Sequence, residues 1–312
     1  MRTTRLLASG LIALAVAACS SAGASPSSAP SEAASVAPSD GASVAPSASA
    51  DACATDSLAV VTAGTFTIGT DNPAYPPYFA ENASGTATAP WELGDPTTGE
   101  GFESALGFAI ADRLGFTKDQ VAWVVVPFAN AFAPGEKTFD IDLNQVTFTE
   151  ERTQTADLTE GYYFGNQSLV ALKDSPVAKA TSIAELKDFV FGAQVGTTSY
   201  DAINEIIAPT KAAAVYDTND AAIEALSAGT IDGIVVDLPT ADFITNVQVE
   251  NATIVGQFEG GTPEHFSAVL TKDSPLTACV DAAIASLTDD GTLDELASKW
   301  LPFQDTVPVL KP

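Results

Sequence analysis

Residues 139–152 read Phe139-Asp140-Ile141-Asp142-Leu143-Asn144-Gln145-Val146-Thr147-Phe148-Thr149-Glu150-Glu151-Arg152. Phe139, Ile141 and Leu143 alternate with Asp140 and Asp142, the period of a strand with one buried face, and the alternation stops at polar Asn144 and Gln145. Thr149 is a good helix N-cap and Glu150-Glu151 suits a first helical turn, so the spacing predicts a strand, a polar strand end and a helix start. Arg152 then stands where the helix dipole disfavours a cation. Either it pairs with the neighbouring glutamates on a solvated surface, or its planar fork is held above a strand end to grip a carboxylate bidentately.

Outward from this stretch the pattern is α/β. Strands are predicted at 66–69, 121–126, 168–172, 189–195, 215–216, 231–236, 254–258 and 266–270, and helices at 102–114, 218–228, 276–287 and 292–301. Further helices open at 196–199 and at 240. Strands alternating with helices of this length imply mostly parallel sheets covered on both faces. Asp71 and Asn72, Phe128, the 144–152 segment, Thr198 and Asp237 each follow a predicted strand directly, and ligands of open α/β sheets bind outside those ends. Together they offer a cation, acids, hydroxyls, amides and an aromatic face, the set a zwitterion needs. Taken singly, Asp237 also reads as a helix cap and Phe128 as core.

Acids outnumber bases 40 to 13 in the 312 residues, for a formal net charge of -27. That excludes nucleic acid as a partner, since phosphate binding needs a basic face. Residues 1–18 read as a secretory signal, with Arg2 and Arg5, a short apolar run and small residues before Cys19. Val16-Ala17-Ala18-Cys19 resembles the lipobox of bacterial lipoproteins, which implies cleavage before Cys19, lipid on its thiol, and an exported chain anchored at the outer face of the cytoplasmic membrane. Residues 19–52, nearly all Ser, Ala, Pro and Gly after Cys19, are expected to be a disordered tether. With Cys19 used, Cys53 and Cys279 remain, and an even pair in an exported protein is expected to form a disulfide.

Several motifs resemble the solute-binding proteins of ABC importers, in the family 3 or polar amino acid branch. They are Gly69-Thr70-Asp71-Asn72-Pro73-Ala74-Tyr75-Pro76-Pro77, the 147–152 segment, Val195-Gly196-Thr197-Thr198-Ser199, Val235-Val236-Asp237, Asp290-Gly291-Thr292-Leu293-Asp294 and Lys299-Trp300. The resemblance covers about residues 60–302. It implies a two-lobed periplasmic-binding-protein type II fold, each lobe a mostly parallel sheet flanked by helices, with two crossing strands as the hinge. Residues 53–166 and 264–312 would form the first lobe and 167–263 the second, which puts Cys53 and Cys279 in one lobe.

Carried over by position, Arg152 resembles the arginine that clamps the ligand carboxylate, with Thr147 beside it and Thr198 adding a hydroxyl and an amide. Asp237 resembles the acid for the ligand ammonium, Tyr75 and Phe128 the aromatic walls, and Asp71 or Asn72 the group facing the side chain or ammonium. The resemblance implies a monomer that hands an L-amino acid to a permease, with no cofactor. Exported dehydratases that aromatise arogenate or prephenate look similar and form the alternative, as does a ligand-sensing lipoprotein.

This chain departs from the family pattern in three places. One extra residue separates Asp71 from Tyr75; Asn144 and Gln145 replace small residues and favour a small or polar ligand side chain; and the 82–100 loop is long, leaving Trp91 either over the cleft or on the surface. His265, the only histidine, reads as structural, with a ligand contact as the alternative.

Overall fold

A computed structural model describes residues 53–80, 89–258, 264–302 and 307–312. The expected signal, Cys19, the tether and residues 82–88 of the long loop lie outside the described residues. In chain order the strands are β1 (Phe66–Thr70), β2 (Val121–Val125), β3 (Ile141–Asp142), β4 (Ala156–Leu158), β5 (Tyr163–Gly165), β6 (Gln167–Leu172), β7 (Phe191–Gln194), β8 (Ala214–Tyr216), β9 (Gly233–Asp237), β10 (Ala252–Gln257), β11 (Glu264–Phe266) and β12 (Val269–Thr271). The α-helices are α1 (Phe102–Arg113), α2 (Phe128–Ala131), α3 (Thr198–Ala202), α4 (Asn219–Ser227), α5 (Leu238–Phe243), α6 (Thr277–Asp289) and α7 (Thr292–Trp300).

Two five-stranded sheets form, in the orders β2-β1-β3-β12-β4 and β10-β6-β9-β7-β8. In the first, β1 pairs in parallel with β2 and β3, while β12 runs antiparallel to β3 and β4. The second repeats the scheme: β7 is parallel to β8 and β9, while β6 is antiparallel to β9 and β10. Between the sheets, β5 and β11 make a two-stranded antiparallel ribbon. The strands that follow the ribbon, β6 and β12, are the antiparallel ones, because a chain crossing the hinge enters the next sheet from its opposite end. The fold is therefore α/β and two-lobed, with a crossing-strand hinge and mixed sheets in which one strand runs against the other four.

Three local expectations change. The strand at 139–143 is buried at every position: Ile141 and Leu143 belong to the main core of the lobe, and Phe139 packs in a second cluster with Val126 and Val269. Asp140 accepts from the Val61 and Thr67 amides, whereas Asp142 is fully buried with neither oxygen bonded among the described residues. Burial, aided by the charges of Glu103 and Asp71, pushes the Asp142 carboxyl well above the usual range. The helix expected after Thr149 is a single 3-10 turn, Arg152–Gln154, with Thr149 Oγ1 accepting the Arg152 amide at 3.2 Å. Trp91 neither covers the cleft nor lies on the surface: it is 4% exposed in the first lobe's core with Phe79 and Phe102.

A fourth correction concerns the C-terminus, which does not stay with the first lobe. Residues 307–312 lie along the second sheet: Leu310 donates its amide to Gln257 O at 2.9 Å, Lys311 O accepts from Ile183 N at 2.7 Å, and Leu310 is buried in that lobe's core. The Cys53–Cys279 disulfide is present and ties the start of the described chain to α6 across 226 positions. Among the described residues no helix is long and apolar enough to cross a membrane.

Candidate functional site

The ends of β1, β2 and β3 face the ends of β7 and β9 across a cleft, and the residues singled out at those ends meet there. Glycine makes the approach possible on the first side: a Cβ on Gly69 would fall 2.6 Å from Asp142 Oδ2 and 2.8 Å from Val126 Cγ2. Just beyond, Asp71 accepts from the Phe128 amide at 3.2 Å and from the Asn72 amide at 2.7 Å, and it lines a cavity of about 50 Å³. Tyr75, Phe128, Asn144, Gln145, Thr147 and Arg152 complete that lobe's wall. The opposite wall contains Thr198 and Asp237, together with Gln194, Ser199, Asn219 and Thr240, which strand-end reasoning passed over.

Arg152 is 7% exposed. Its guanidinium lies over the rings of Phe132 at 4.5 Å and Phe128 at 5.6 Å, donates from Nη1 to Thr147 O, and donates from Nη2 across the cleft to Gly196 O at 2.9 Å. Gly196 turns the chain from β7 into α3 at φ +75, a conformation glycine adopts without strain. Among the described residues Arg152 forms no ion pair, so the pairing with Glu150 or Glu151 is absent. Burial pulls its pKa down, opposed first by the charge of Asp237.

Asp237 ends β9 and makes no side-chain cap to α5, which answers the helix-cap reading. It accepts from Gln167 Nε2 at 2.7 Å. Burial, then the charge of Glu264, lifts its pKa to about 7. The same Gln167 amide donates to Glu264 Oε2 at 3.0 Å, and Ser199 Oγ donates to Gln167 Oε1 at 2.7 Å. Thr198 Oγ1 donates to Glu264 Oε2 at 3.1 Å and stands 3.3 Å from Thr147 Oγ1 on the other lobe. Its hydroxyl hydrogen is therefore already engaged, and the backbone amide is what Thr198 retains for an anion. Gln167 and Glu264 lie within the segments expected to cross between lobes, where a polar side chain was the available signal.

Two expected residues are placed differently. Asn72 turns away from the cleft: its Nδ2 donates to Pro90 O at 2.8 Å and its Oδ1 accepts from the Glu92 amide at 2.9 Å, because the extra residue before Tyr75 swings it onto the 89–92 loop. Gln145 lines the cavity, but its side-chain amide donates to Glu103 Oε2 and its backbone N–H donates to Glu103 Oε1 at 2.8 Å. Tyr162 also donates to Glu103, whose pKa burial raises to about 7. Asn144 is the reverse case, 4% exposed with its Nδ2 unpartnered among the described residues. His265 stacks on Phe148 at 5.2 Å and packs against Phe164 at 5.4 Å, a packing position in the hinge.

Two mixed sheets, a crossing ribbon and a cleft with a cation on one wall and an acid on the other define a two-lobed periplasmic binding protein of type II. The model of the bacterial extracellular solute-binding proteins, family 3, matches residues 67–303, and the chain belongs to that family. The L-cystine-binding protein TcyJ of Escherichia coli K12 is 26% identical over 240 residues, 76% of this chain and 82% of the relative. The lysine/arginine/ornithine-binding periplasmic protein of the same organism is 26% identical over 251 residues, 77% of this chain and 88% of the relative. Among solved structures, an ancestral arginine-binding protein bound to glutamine matches with a TM-score of 0.62 at 26% identity, covering 77% of this chain and 99% of that one.

Proposed function

We propose that this protein captures an L-amino acid between its lobes and presents the closed form to the permease of an ABC importer, as an exported monomer anchored through lipid on Cys19 and tethered by residues 19–52. One observation carries the reading: a buried arginine, Arg152, faces a half-buried acid, Asp237, across the cleft, and among the described residues neither forms an ion pair. An α-carboxylate on the first and an α-ammonium on the second satisfy both, with Thr147 and the Thr198 amide beside the carboxylate and Tyr75 and Phe128 along the carbon stem. Because the two groups belong to different lobes, binding free energy favours the closed state.

A thermal-shift screen against the twenty amino acids tests this. A ligand at 100 times its dissociation constant stabilises by about 2.7 kcal/mol. No shift with any of them overturns the reading.

The role is binding rather than catalysis. One observation favours the dehydratase alternative, namely that Asp237, with its pKa near 7, is a proton donor in the cleft. Incubation with prephenate while following phenylpyruvate absorbance separates the two, and the binding reading expects no turnover.

A further inference from the structure

The crossing strand β11 is fixed to the first lobe and reaches into the second. Phe148 donates its amide to His265 O at 2.9 Å, Ser267 donates its amide to Val146 O at 2.9 Å, and Thr147 bridges to Phe266, so the strand is joined to the loop that carries Thr147 and Arg152. Its first residue, Glu264, turns its side chain the other way: Oε2 accepts from Thr198 Oγ1 at 3.1 Å and from Gln167 Nε2 at 3.0 Å, both in the second lobe. The same Gln167 nitrogen donates to Asp237 Oδ1 at 2.7 Å. One neutral amide therefore stands between two carboxylates, whose oxygens lie within about 6 Å of each other, the range over which like charges couple strongly. The charge of Glu264 acts on Asp237 in one direction and that of Arg152, from the loop after β3, in the other. Tyr78, from the loop after β1, also faces Asp237. Asp71 lines the same cavity, and Asp220 of α4 bonds the Tyr75 hydroxyl on its wall. From β6, β7, α3 and α5 come Gln167, Gln194, Thr198 and Thr240, none of which titrates.

We propose that Glu264 makes closure of the lobes conditional on an ammonium at Asp237: it is a positioning residue of the hinge, whose charge resists closure of the empty cleft and, once the cation is in place, holds Thr198 and Gln167 in the closed arrangement. This rests on the reading that the cleft closes on an amino acid. Closure of an empty cleft brings the Glu264 carboxylate, carried on the first lobe's side of the hinge, up to Asp237 in the second. A single amide cannot offset two negative charges in so poorly solvated a place, and Arg152 stands on the opposite wall. A zwitterion changes the balance, because its carboxylate engages Arg152 and its ammonium sits beside the acid pair. The two bonds to Glu264 then add to the Arg152–Gly196 and Thr198–Thr147 contacts that join the lobes. Glu264 is not among the residues lining the cavity, so it acts through Asp237, Gln167 and Thr198 rather than by touching the ligand.

The test compares the full wild-type chain with Glu264→Gln, which keeps an acceptor for Thr198 without the charge, and with Glu264→Asp, which keeps the charge; circular dichroism confirms folding. Small-angle X-ray scattering measures opening. Calorimetric titration between about pH 5 and 8, with the tightest binder among the twenty L-amino acids and L-cystine, measures affinity. In wild type, affinity should decline below a midpoint near pH 7, and the radius of gyration should fall on saturation. Glu264→Gln should lower that midpoint by about one pH unit and bring the radius of the empty protein at least halfway to the saturated value, while Glu264→Asp stays with wild type on both. An unchanged midpoint or an unchanged empty-state radius in folded Glu264→Gln overturns the proposal and leaves the amino-acid reading standing. Equal shifts in Glu264→Asp overturn it as well, since shape rather than charge would then be at work. Failure of every one of these probes to bind wild type removes the underlying reading, and this proposal with it.

Discussion

Arg152 Nη2 donates to the carbonyl of Gly196 at 2.9 Å, joining the loop after β3 in one lobe to the β7–α3 turn in the other. Together with the Thr198–Thr147 hydroxyl contact and the Tyr78 hydroxyl 3.4 Å from Thr240 Oγ1, it holds the cleft shut. The guanidinium thus has two tasks: its carbonyl bonds fix its plane between Phe128 and Phe132, and its remaining N–H groups face the cavity. A lysine keeps the charge but cannot do both. Arg152→Lys is therefore expected to weaken amino-acid binding by roughly 10- to 100-fold, as one to two charge-assisted hydrogen bonds are lost. Isothermal titration measures it, and unchanged affinity would mean that only the charge matters.

Asp237 and Glu103, both with pKa values near 7, give opposite signs to two pH dependences. Each binds a proton in the folded protein that it releases at its ordinary value of 3.8 or 4.5 when unfolded, so stability falls as pH rises through about 4 to 7. Ligand affinity runs the other way, because the α-ammonium needs ionised Asp237, and should drop by up to about tenfold per pH unit below 7. Thermal scans without ligand and titrations with it, at pH near 5.5 and 7.5, check the opposed signs. Parallel trends would contradict them.

Asn144 and Gln145 are adjacent amides with different work. Asn144→Ser removes a donor that bonds nothing among the described residues, so the expected outcome is a changed ranking among amino acids at little cost in melting temperature. Gln145→Ala withdraws the side-chain donor from buried Glu103 and should cost about 1–3 kcal/mol. Chemical denaturation alongside a ligand panel separates a selectivity residue from a structural one.

That pair also marks what the sequence makes legible. The strand ends, Arg152 and Asp237 follow from local pattern, because period and charge act over a few residues. Glu264 and Gln167 meet over 97 positions through the β5–β11 ribbon, and the burial of Asp142 depends on β12 returning beside β3. Nothing within a short window encodes such pairings. Gln145 was legible as a cavity residue but its partner was not, since Glu103 comes from α1, 42 positions earlier.

The C-terminal segment gives a stability prediction. Leu310 fills the space beside Gly256, where a Cβ would lie 2.7 Å from Leu310 Cγ, and it belongs to the second lobe's core. Leu310→Ala should cost about 2–5 kcal/mol. Deleting residues 307–312 should do at least as much by also removing the Gln257 and Ile183 backbone bonds. Denaturant unfolding checks both, and a loss under about 0.5 kcal/mol for either would show that the segment does not pack on the second lobe in solution.

The central claim is that one ligand bridges Arg152 and Asp237. Calorimetric titration of wild type and Arg152→Ala, with whichever amino acid gives the largest thermal shift, tests it most directly. The bridge predicts saturable binding by wild type and a loss of at least about 100-fold in the variant, because truncation leaves a desolvated carboxylate without its partner. Near-native affinity in a folded Arg152→Ala protein would contradict it.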